Sequence, residues 1–349
     1  MTYSHAQLRQ HIARLPRYPL AHLPTPLEFV PRFSKAVGGP RIFIKRDDCT
    51  GLACGGNKAR HNEFLMGDAL HKQSDILVWG AGVQSNNCRQ TAAACAKAGL
   101  DCHLILGRGG PANGPDVVQG NLLLDQLVGA YIDIVDDMIG PELNRRIAEQ
   151  AAKYQAAGRR PYMWDPDVVK PLAAISYALC LSEVLEQSTE LGIDPAAMYV
   201  SSAGSTGAGL ALGKGALGYL GIVRNIAPIE WPWDTRADLA ATANQAAKLI
   251  GIDTQLETSE IDITFDYIPP GYGEASAGCL EAISLLARTE GILLDPIYTG
   301  KAMAGLIHDI RGGRFDRDAS VVLIHTGGTP ALFAYADVLA EGIPKRKLA

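Results

Sequence analysis

The feature that most constrains this chain is a regular alternation of short apolar, β-branched segments with longer helical patterns. Strands are predicted at residues 41–45, 75–80, 102–107, 131–136, 197–202, 220–225 and 320–325. Helices are predicted near residues 56–72, 85–99, 120–129, 140–157, 172–191, 205–218, 235–250, 276–290, 300–311 and 330–341. This alternation predicts an α/β fold in which mostly parallel sheets are covered by helices on both faces.

Length and charge narrow the class of protein further. A chain of 349 residues exceeds one typical core, so we expect two lobes or one large α/β unit. The net charge of −5 argues against a nucleic-acid partner, because neutralising phosphates takes clustered Lys and Arg. No apolar run has the length of a membrane span, and the first twenty residues lack a signal-peptide core. We therefore expect a cytoplasmic enzyme without a membrane partner.

The seven cysteines form no C-x-x-C pair, and no Cys/His spacing is typical of a zinc site. We expect no metal. Five cysteines are predicted to be small buried hydrophobic residues, namely Cys88, Cys95, Cys102, Cys180 and Cys279.

The segment "CGGNK" places a lysine directly behind a glycine turn that opens a helix. In open parallel sheets, ligands bind at the loops that follow the carboxyl ends of strands. The positive end of the helix disfavours a cation and helps to keep Lys58 neutral. A neutral lysine is what a Schiff base with an aldehyde requires. Taken alone, a surface lysine in a glycine turn is the simpler interpretation.

Two further loops join a strand end to a helix start. In "GAGVQSNN", Ser85 fits a helix cap, and the N–H groups of Ser85, Asn86 and Asn87 could bind a substrate carboxylate. In "SSAGSTGAGL", successive N–H groups from Ala203 to Thr206 could cradle a phosphate. Simple helix capping and tight helix–strand packing are the alternative interpretations of these loops.

The remaining loops supply aromatic and hydroxyl groups. "PPGYGEASAG" and "DPIYTGKAMAG" place Tyr272 and Tyr298 beside glycine, and "IHTGGTPAL" ends a strand at Thr326. His325 is interpreted as a hydrogen-bonded, partly buried histidine rather than a base. Together the four loops fit one phosphate, one neutral lysine, one carboxylate and one ring partner. Pyridoxal 5′-phosphate (PLP) with an amino-acid substrate meets all four demands.

The motifs "IKRDDCTG", "GGNKAR", "GAGVQSNN", "GSTGAGL", "EGILLDPIYTGKAMAGL" and "HTGGTPALFAY" resemble the family of D-cysteine desulfhydrases and 1-aminocyclopropane-1-carboxylate (ACC) deaminases. L-cysteate sulfo-lyases are similar too. The resemblance runs in order from about Leu23 to Tyr335. It implies a tryptophan-synthase-β-like, fold type II PLP enzyme and a homodimer. It also implies a large lobe formed by residues 1–59 and 164–349 and a smaller inserted lobe formed by residues 60–163. The irregular segment "PYMWDPDVVKP" at 161–171 breaks the strand–helix pattern and is the candidate crossover between the lobes.

The resemblance also implies a role for each matching position. Lys58 would bond the cofactor, Asn57 or Asn86 would contact its ring hydroxyl, and residues 85–87 would bind the substrate carboxylate. The cofactor phosphate would lie on Ala203, Gly204, Ser205 and Thr206. Tyr272 and Tyr298 match active-site tyrosines of the family.

Two threonines separate the branches of this family. ACC deaminases carry Glu and Leu where this chain has Thr299 and Thr326, as desulfhydrases do. A threonine hydroxyl cannot stabilise a protonated pyridine as a carboxylate does. The resemblance therefore implies a weaker electron sink, suited to expelling a good leaving group and poorly suited to opening a cyclopropane.

The chain departs from the family beside the expected substrate. It has "MWDPDVV" in place of an "IPGGGS"-like loop, "APIEWPWDTR" in place of a short polar loop, and Asn87 in place of His or Gln. Residues Trp164, Asp165, Trp231 and Trp233 could reshape the pocket, and we expect Trp164 to contact the substrate.

The expected function is α,β-elimination from a small β-substituted amino acid, giving pyruvate and ammonia. D-Cysteine is the first expected substrate, followed by cysteate. ACC deaminase is disfavoured by the two threonines. A PLP racemase remains an alternative, with Tyr298, Tyr272 or Ser85 as its second base, and a catalytically silent PLP-binding protein is the third class.

Overall fold

The computed structural model describes residues 2–108, 116–136 and 140–342. The glycine- and proline-rich sequence at 107–121, which predicts a long surface loop, lies partly outside the described residues, and the basic sequence "KRKLA" at 345–349 lies wholly outside them.

The described part of the chain has ten strands and thirteen α-helices. The strands are β1 (Leu27–Phe29), β2 (Arg41–Lys45), β3 (Ile76–Gly82), β4 (Asp101–Gly107), β5 (Tyr131–Val135), β6 (Pro161–Met163), β7 (Pro195–Ser201), β8 (Ile222–Ile226), β9 (Asp262–Thr264) and β10 (Ser320–Ile324). The helices are α1 (His5–Ile12), α2 (Pro31–Val37), α3 (Asn57–His71), α4 (Asn86–Ala98), α5 (Gly120–Leu127), α6 (Pro141–Ala156), α7 (Pro166–Glu190), α8 (Ser205–Leu217), α9 (Thr235–Ile250), α10 (Ala277–Glu290), α11 (Thr299–Arg311), α12 (Ala331–Ala334) and α13 (Ala336–Gly342).

The strands form two separate sheets. The larger sheet has six strands in the order β1-β2-β10-β7-β8-β9, and only the β1–β2 pair is antiparallel. The smaller sheet has four parallel strands in the order β5-β4-β3-β6. In both sheets the central strands are buried continuously, as β10 shows with five buried residues in a row. This burial pattern is what helices on both faces of a parallel sheet produce.

Each sheet has its own hydrophobic core. The small sheet packs Leu77, Trp79 and Leu104 against α3 and α4 in one buried cluster. The large sheet is covered on one side by α10 and α11 and on the other by α7 and α8. The five cysteines predicted to be buried are buried, and Cys49 and Cys54 are exposed free thiols.

Helix α7 is the longest helix of the described residues. Asp165 caps it by accepting a hydrogen bond from the N–H of Asp167, and Pro166 occupies its first turn. The expectation that no apolar run has the length of a membrane span is wrong for this helix, which is long and apolar enough to cross a membrane, but 72% of its most apolar window is buried inside the protein. Its apolar composition therefore follows from its packing against α3, α8 and the large sheet.

All seven predicted strands and all ten predicted helices correspond to observed elements, and the α/β fold class is confirmed. The predicted start of α7 at residue 172 is wrong, because the helix begins at Pro166 and continues through Pro171. The segment 161–171, predicted to be irregular, holds β6 and the first turns of α7. The helix predicted at 330–341 is two helices, α12 and α13. We propose that residues 60–163 form the smaller lobe, which the composition of the four-stranded sheet supports.

Candidate active site

A cavity of about 370 Å³ lies where the carboxyl ends of the strands of both sheets meet. Loops that follow β3 and β6 line it from the small sheet, and loops that follow β7, β8 and β10 line it from the large sheet. Thirteen residues of the predicted site line this cavity. They are Asn57, Lys58, Ser85, Asn86, Asn87, Trp164, Ala203, Gly204, Ser205, Thr206, Tyr272, Tyr298 and Thr326.

Lys58 lies in the first turn of α3 and is half-buried in the cavity. Within the described residues its amine has neither a hydrogen bond nor an ion pair. Burial lowers the pKa of Lys58 to about 8, because an ammonium loses hydration that no partner replaces. A substantial fraction of this amine is therefore neutral near pH 7.5, as a nucleophile or base must be.

The other buried lysines are held by acceptors. The amine of Lys45 donates to the carbonyl of Thr25 at 2.7 Å and pairs with Glu183 at 3.0 Å. The amine of Lys301 donates to the carbonyls of Ile268 and Gly271 at 2.7 and 2.8 Å. Neither residue lines the cavity. Lys170 does line the cavity, but its amine pairs with Asp238, so Lys58 is the lysine suited to covalent chemistry.

The glycine turn before Lys58 packs against the loop that follows β10. The backbone N–H of Asn57 donates to the carbonyl of Thr326 at 3.0 Å. A Cβ on Gly327 would lie 2.7 Å from the Cα of Gly56, and both glycines have positive φ angles. The two loops can approach this closely only because both positions lack a side chain.

Helix α4 holds the same turn from the other side. The guanidinium of Arg89 donates to the carbonyl of Gly55 at 2.8 Å, and the side-chain oxygen of Gln90 accepts from the N–H of Ala59 at 2.8 Å. Both side chains are fully buried. Sequence reasoning missed these two residues, although "CRQ" inside an alanine-rich helix was a visible signal of a buried polar face.

The loop that follows β3 caps the N-terminus of α4. The hydroxyl of Ser85 accepts hydrogen bonds from the N–H groups of Asn87 and Cys88, each at 3.1 Å. The N–H of Ser85 itself donates to the carbonyl of Gly82. Of the three N–H groups predicted to bind a carboxylate, only that of Asn86 has no partner among the described residues. Helix capping therefore uses the N–H of Asn87 and the turn bond to Gly82 uses that of Ser85, so two of the three predicted donors are already paired.

The turn at 203–206 forms the N-terminus of α8, whose first N–H groups have no partner inside the helix. The side-chain amide of Asn57 donates to the hydroxyl of Thr206 at 3.0 Å, which joins this turn to the lysine helix. Gly207 packs so closely on Asn225 of β8 that a Cβ would lie 2.1 Å from its side-chain oxygen. A Cβ on Gly204 would meet nothing within 4 Å. The turn is thus held by the packing of Gly207 on β8, while Gly204 is open toward the cavity.

The two predicted tyrosines form a pair. Their hydroxyl groups are 2.7 Å apart, and burial raises the pKa values of both Tyr272 and Tyr298. Both are therefore neutral hydroxyl groups at physiological pH. The backbone N–H of Tyr298 donates to the buried carboxylate of Asp295 at 2.9 Å, which fixes the second tyrosine. Sequence reasoning missed Asp295, although Asp-Pro before a helix start is a turn signal.

Thr299 does not line the cavity, in contrast to the expectation that it faces the cofactor ring. It is 1% exposed, and its hydroxyl donates to Asp295 at 2.6 Å. The first turn of α11 uses Thr299 to satisfy that carboxylate. Thr326 does line the cavity, and His325 accepts from the N–H of Gly327 and contacts the carbonyl of Leu293, as expected for a structural histidine.

Residues 18–327 match the family model described as "Pyridoxal-phosphate dependent enzyme". The match covers well over half of the chain, so the chain belongs to this family of PLP-dependent enzymes. The expected cofactor class and the expected fold are thereby confirmed.

Individual relatives agree with the resemblance seen in the motifs. D-cysteine desulfhydrases of Salmonella schwarzengrund and Salmonella typhi are each 40% identical to this chain, over 93% of it and 98% of their own length. The solved structure of an ACC deaminase homologue is 32% identical with a TM-score of 0.86, covering 96% of this chain and 99% of its own. Threonine deaminase isoform 2 from Solanum lycopersicum, 16% identical with a TM-score of 0.65, shares the fold.

The cavity has the groups that PLP requires. The open turn at 203–206 fits a phosphate, and the partnerless amine of Lys58 fits the cofactor aldehyde. Asn57 lies next to Lys58 and is linked to Thr206, so one rigid cluster would hold both ends of the cofactor. When bound, PLP supplies a ring that withdraws the electrons left on the substrate Cα.

Proposed function

We propose that this protein is a lyase of the D-cysteine desulfhydrase type, which carries out α,β-elimination on a small β-substituted amino acid. The products are pyruvate, ammonia and the β leaving group. The observation that carries the proposal is the partnerless amine of Lys58, whose pKa of about 8 makes it a base, in one cavity with the 203–206 turn. The names of the curated relatives support the same reaction.

Each polar group has a proposed task. With PLP bound, Lys58 would take the proton from the substrate Cα. The N–H of Asn86 and the side chains of Ser85 and Asn87 bind the substrate carboxylate. The hydroxyl groups of Tyr272 and Tyr298 lie in the same cavity as neutral donors that can protonate the departing group.

The proposed cofactor contacts are also assigned residue by residue. Ala203, Gly204, Ser205 and Thr206 hold the phosphate, Asn57 or Asn86 contacts the ring hydroxyl, and Thr326 faces the ring. Thr299 acts through Asp295 rather than directly. A hydroxyl-lined rather than carboxylate-lined ring site favours a good leaving group, which supports D-cysteine over ACC. L-Cysteate is the next substrate in this proposal.

Homodimer formation and a cytoplasmic location are part of the proposal, supported by the family resemblance. Racemisation is the alternative reaction, and the tyrosine pair is the reason to test it. A hydroxyl that faces the substrate Cα opposite Lys58 could return a proton to the other face and give the other enantiomer. Chiral analysis of recovered substrate distinguishes racemisation from elimination.

Two experiments test the proposal. Borohydride reduction of the holoenzyme should fix PLP on the peptide that contains Lys58, and a label on Lys45 or Lys301 would overturn the assignment. Pyruvate release from both enantiomers of cysteine, cysteate, β-chloroalanine and serine, and from ACC, should be fastest with thiol, sulfite or chloride as leaving group. Faster turnover of ACC than of every β-substituted alanine would contradict the elimination proposal.

A further inference from the structure

Three of the four tryptophans of this protein line the active-site cavity. We call Trp164, Trp231 and Trp233 the tryptophan wall. Trp164 lies in the loop between β6 and α7, and Trp231 and Trp233 lie in the loop between β8 and α9. A desulfhydrase acting on a thiol group alone has no evident need of three indole rings.

Trp231 and Trp233 form a fixed pair on the large-lobe side. Their rings are stacked, with centroids 5.0 Å apart and an interplanar angle of 5°. The indole N–H of Trp231 donates to the carbonyl of Ala203 at 3.2 Å. This bond ties the pair to the turn proposed to hold the phosphate, so the pair has a defined position relative to the cofactor site.

Trp164 faces the cavity from the small sheet. Its ring contacts the fully buried Trp79 edge to face, with centroids 5.1 Å apart and an interplanar angle of 90°. Its backbone N–H donates to the carbonyl of Val78. The tryptophan wall thus borders the cavity from both sides: Trp164 packs on Trp79 of β3, and the stacked pair is bonded to the loop that follows β7.

The wall is incompletely covered by protein. Trp233 is 46% exposed, and indole surface in water is unfavourable because burying apolar area is stabilising. Apart from Lys58, the lysine and arginine side chains that line the cavity are paired: Lys170 with Asp238, and Arg108 with Asp136 at 3.1 Å. The surface on offer is therefore aromatic rather than charged.

We infer that the tryptophan wall binds a flat, apolar β-substituent of the amino-acid substrate. This inference rests on the proposed elimination and specifies its substrate class as cysteine thioethers with an arylmethyl or similar group on sulfur. For S-benzylcysteine the reaction is C10H13NO2S + H2O → C7H8S + pyruvate⁻ + NH4⁺. The Cβ–S bond breaks, and the sulfur leaves with the electron pair and takes a proton to form the thiol. Water then hydrolyses the remaining three-carbon imine to pyruvate and ammonium.

The test compares S-benzylcysteine with S-methylcysteine in both enantiomers, using the PLP-loaded enzyme. Both expel alkanethiolates, so the leaving-group chemistry is matched and the ring is the difference. An aromatic contact strengthens binding about threefold to tenfold, so kcat/KM for S-benzylcysteine should be higher by at least that factor, mainly through KM. Quenching of tryptophan fluorescence by S-benzyl-α-methylcysteine, which has no Cα proton to lose, gives a readout without turnover.

Variants locate the effect. Trp233→Ala and Trp231→Ala should each reduce the preference for S-benzylcysteine over S-methylcysteine about threefold to tenfold, and Trp233→Phe should retain part of it. Tyr131→Ala is the matched control, because Tyr131 is 56% exposed at the start of β5, away from the carboxyl ends of the strands. Its preference should equal that of the unaltered enzyme.

β-Chloroalanine separates failure of this inference from failure of the proposed function. If it yields pyruvate while S-methylcysteine equals or exceeds S-benzylcysteine, the tryptophan wall does not select the substituent and the elimination proposal stands. If β-chloroalanine yields no pyruvate in the PLP-loaded enzyme, the proposed function and this inference both fall. An unchanged preference in both alanine variants also overturns the assignment to these rings.

Discussion

Replacing Lys58 by Met in the PLP-free enzyme should change how stability depends on pH. Burial lowers the pKa of Lys58 from its ordinary value of 10.5 to about 8. At about 1.36 kcal/mol per pKa unit, this corresponds to about 3 kcal/mol of destabilisation in the folded protein when the amine is charged. The figure is an upper limit, because the open cavity admits water to part of the side chain.

The sign follows from proton binding. Between pH 8 and 10.5 the unfolded chain holds the Lys58 proton and the folded protein has released it, so stability rises with pH in this window. Below pH 8 both states are protonated and the full penalty remains. Lys58→Met removes the penalty, so the variant should be more stable than the unaltered protein at pH 7, and its advantage should shrink by up to about 2 kcal/mol at pH 9.5.

Urea unfolding of both proteins at pH 7, 8, 9 and 9.5, without PLP, measures this difference. All other titrations are common to the pair and cancel in the comparison. Lys248→Met removes an exposed lysine of α9 and should track the unaltered protein at every pH. Parallel curves for Lys58→Met and the unaltered protein would show that the amine is not desolvated, and the argument for a neutral base would fail.

Two further substitutions test the frame of the site. Thr206→Val removes a hydroxyl from the phosphate turn and should weaken PLP binding about tenfold or more in equilibrium dialysis, since a hydrogen bond to a charged group contributes about 1.5–3 kcal/mol; unchanged affinity would place the phosphate elsewhere. Gly55→Ala should lower the unfolding free energy by about 2–4 kcal/mol, because its Cβ would lie 1.9 Å from the carbonyl oxygen of Asp48. Gly99→Ala has a similar φ in open space, and an equal loss in the two variants would refute the steric argument.

The seven longer strands could be predicted because each is a continuous run of mostly apolar residues. β1, β6 and β9 escaped prediction, since a strand of three residues is too short to show periodicity and is held by its neighbour in the sheet. The start of α7 was misplaced because Pro171 predicts a helix boundary. Here the burial of Leu172, Ile175 and the residues that follow stabilises a helix that tolerates one missing hydrogen bond.

The residues that line the cavity could be predicted more fully than the hydrogen bonds between them. Loops at strand ends converge in any parallel sheet, so the cavity residues could be predicted from topology and motifs. Hydrogen-bond partners could not, because they depend on side-chain orientation. The capping geometry of Ser85 and the burial of Thr299 against Asp295 are decided by local turns that the motif pattern does not specify.

The position of β10 between β2 and β7 also determines the order in which the two sheets can form during protein synthesis. Strands of the small sheet lie within residues 76–163, so that sheet can form while the later strands of the large sheet are still being synthesised. The large sheet cannot join its two halves until residues 320–324 have emerged. Thr326, which accepts the hydrogen bond from Asn57, emerges only after that strand. The nascent chain therefore carries Lys58 without a complete cavity until residues 320–326 have emerged and β10 has paired with β2 and β7.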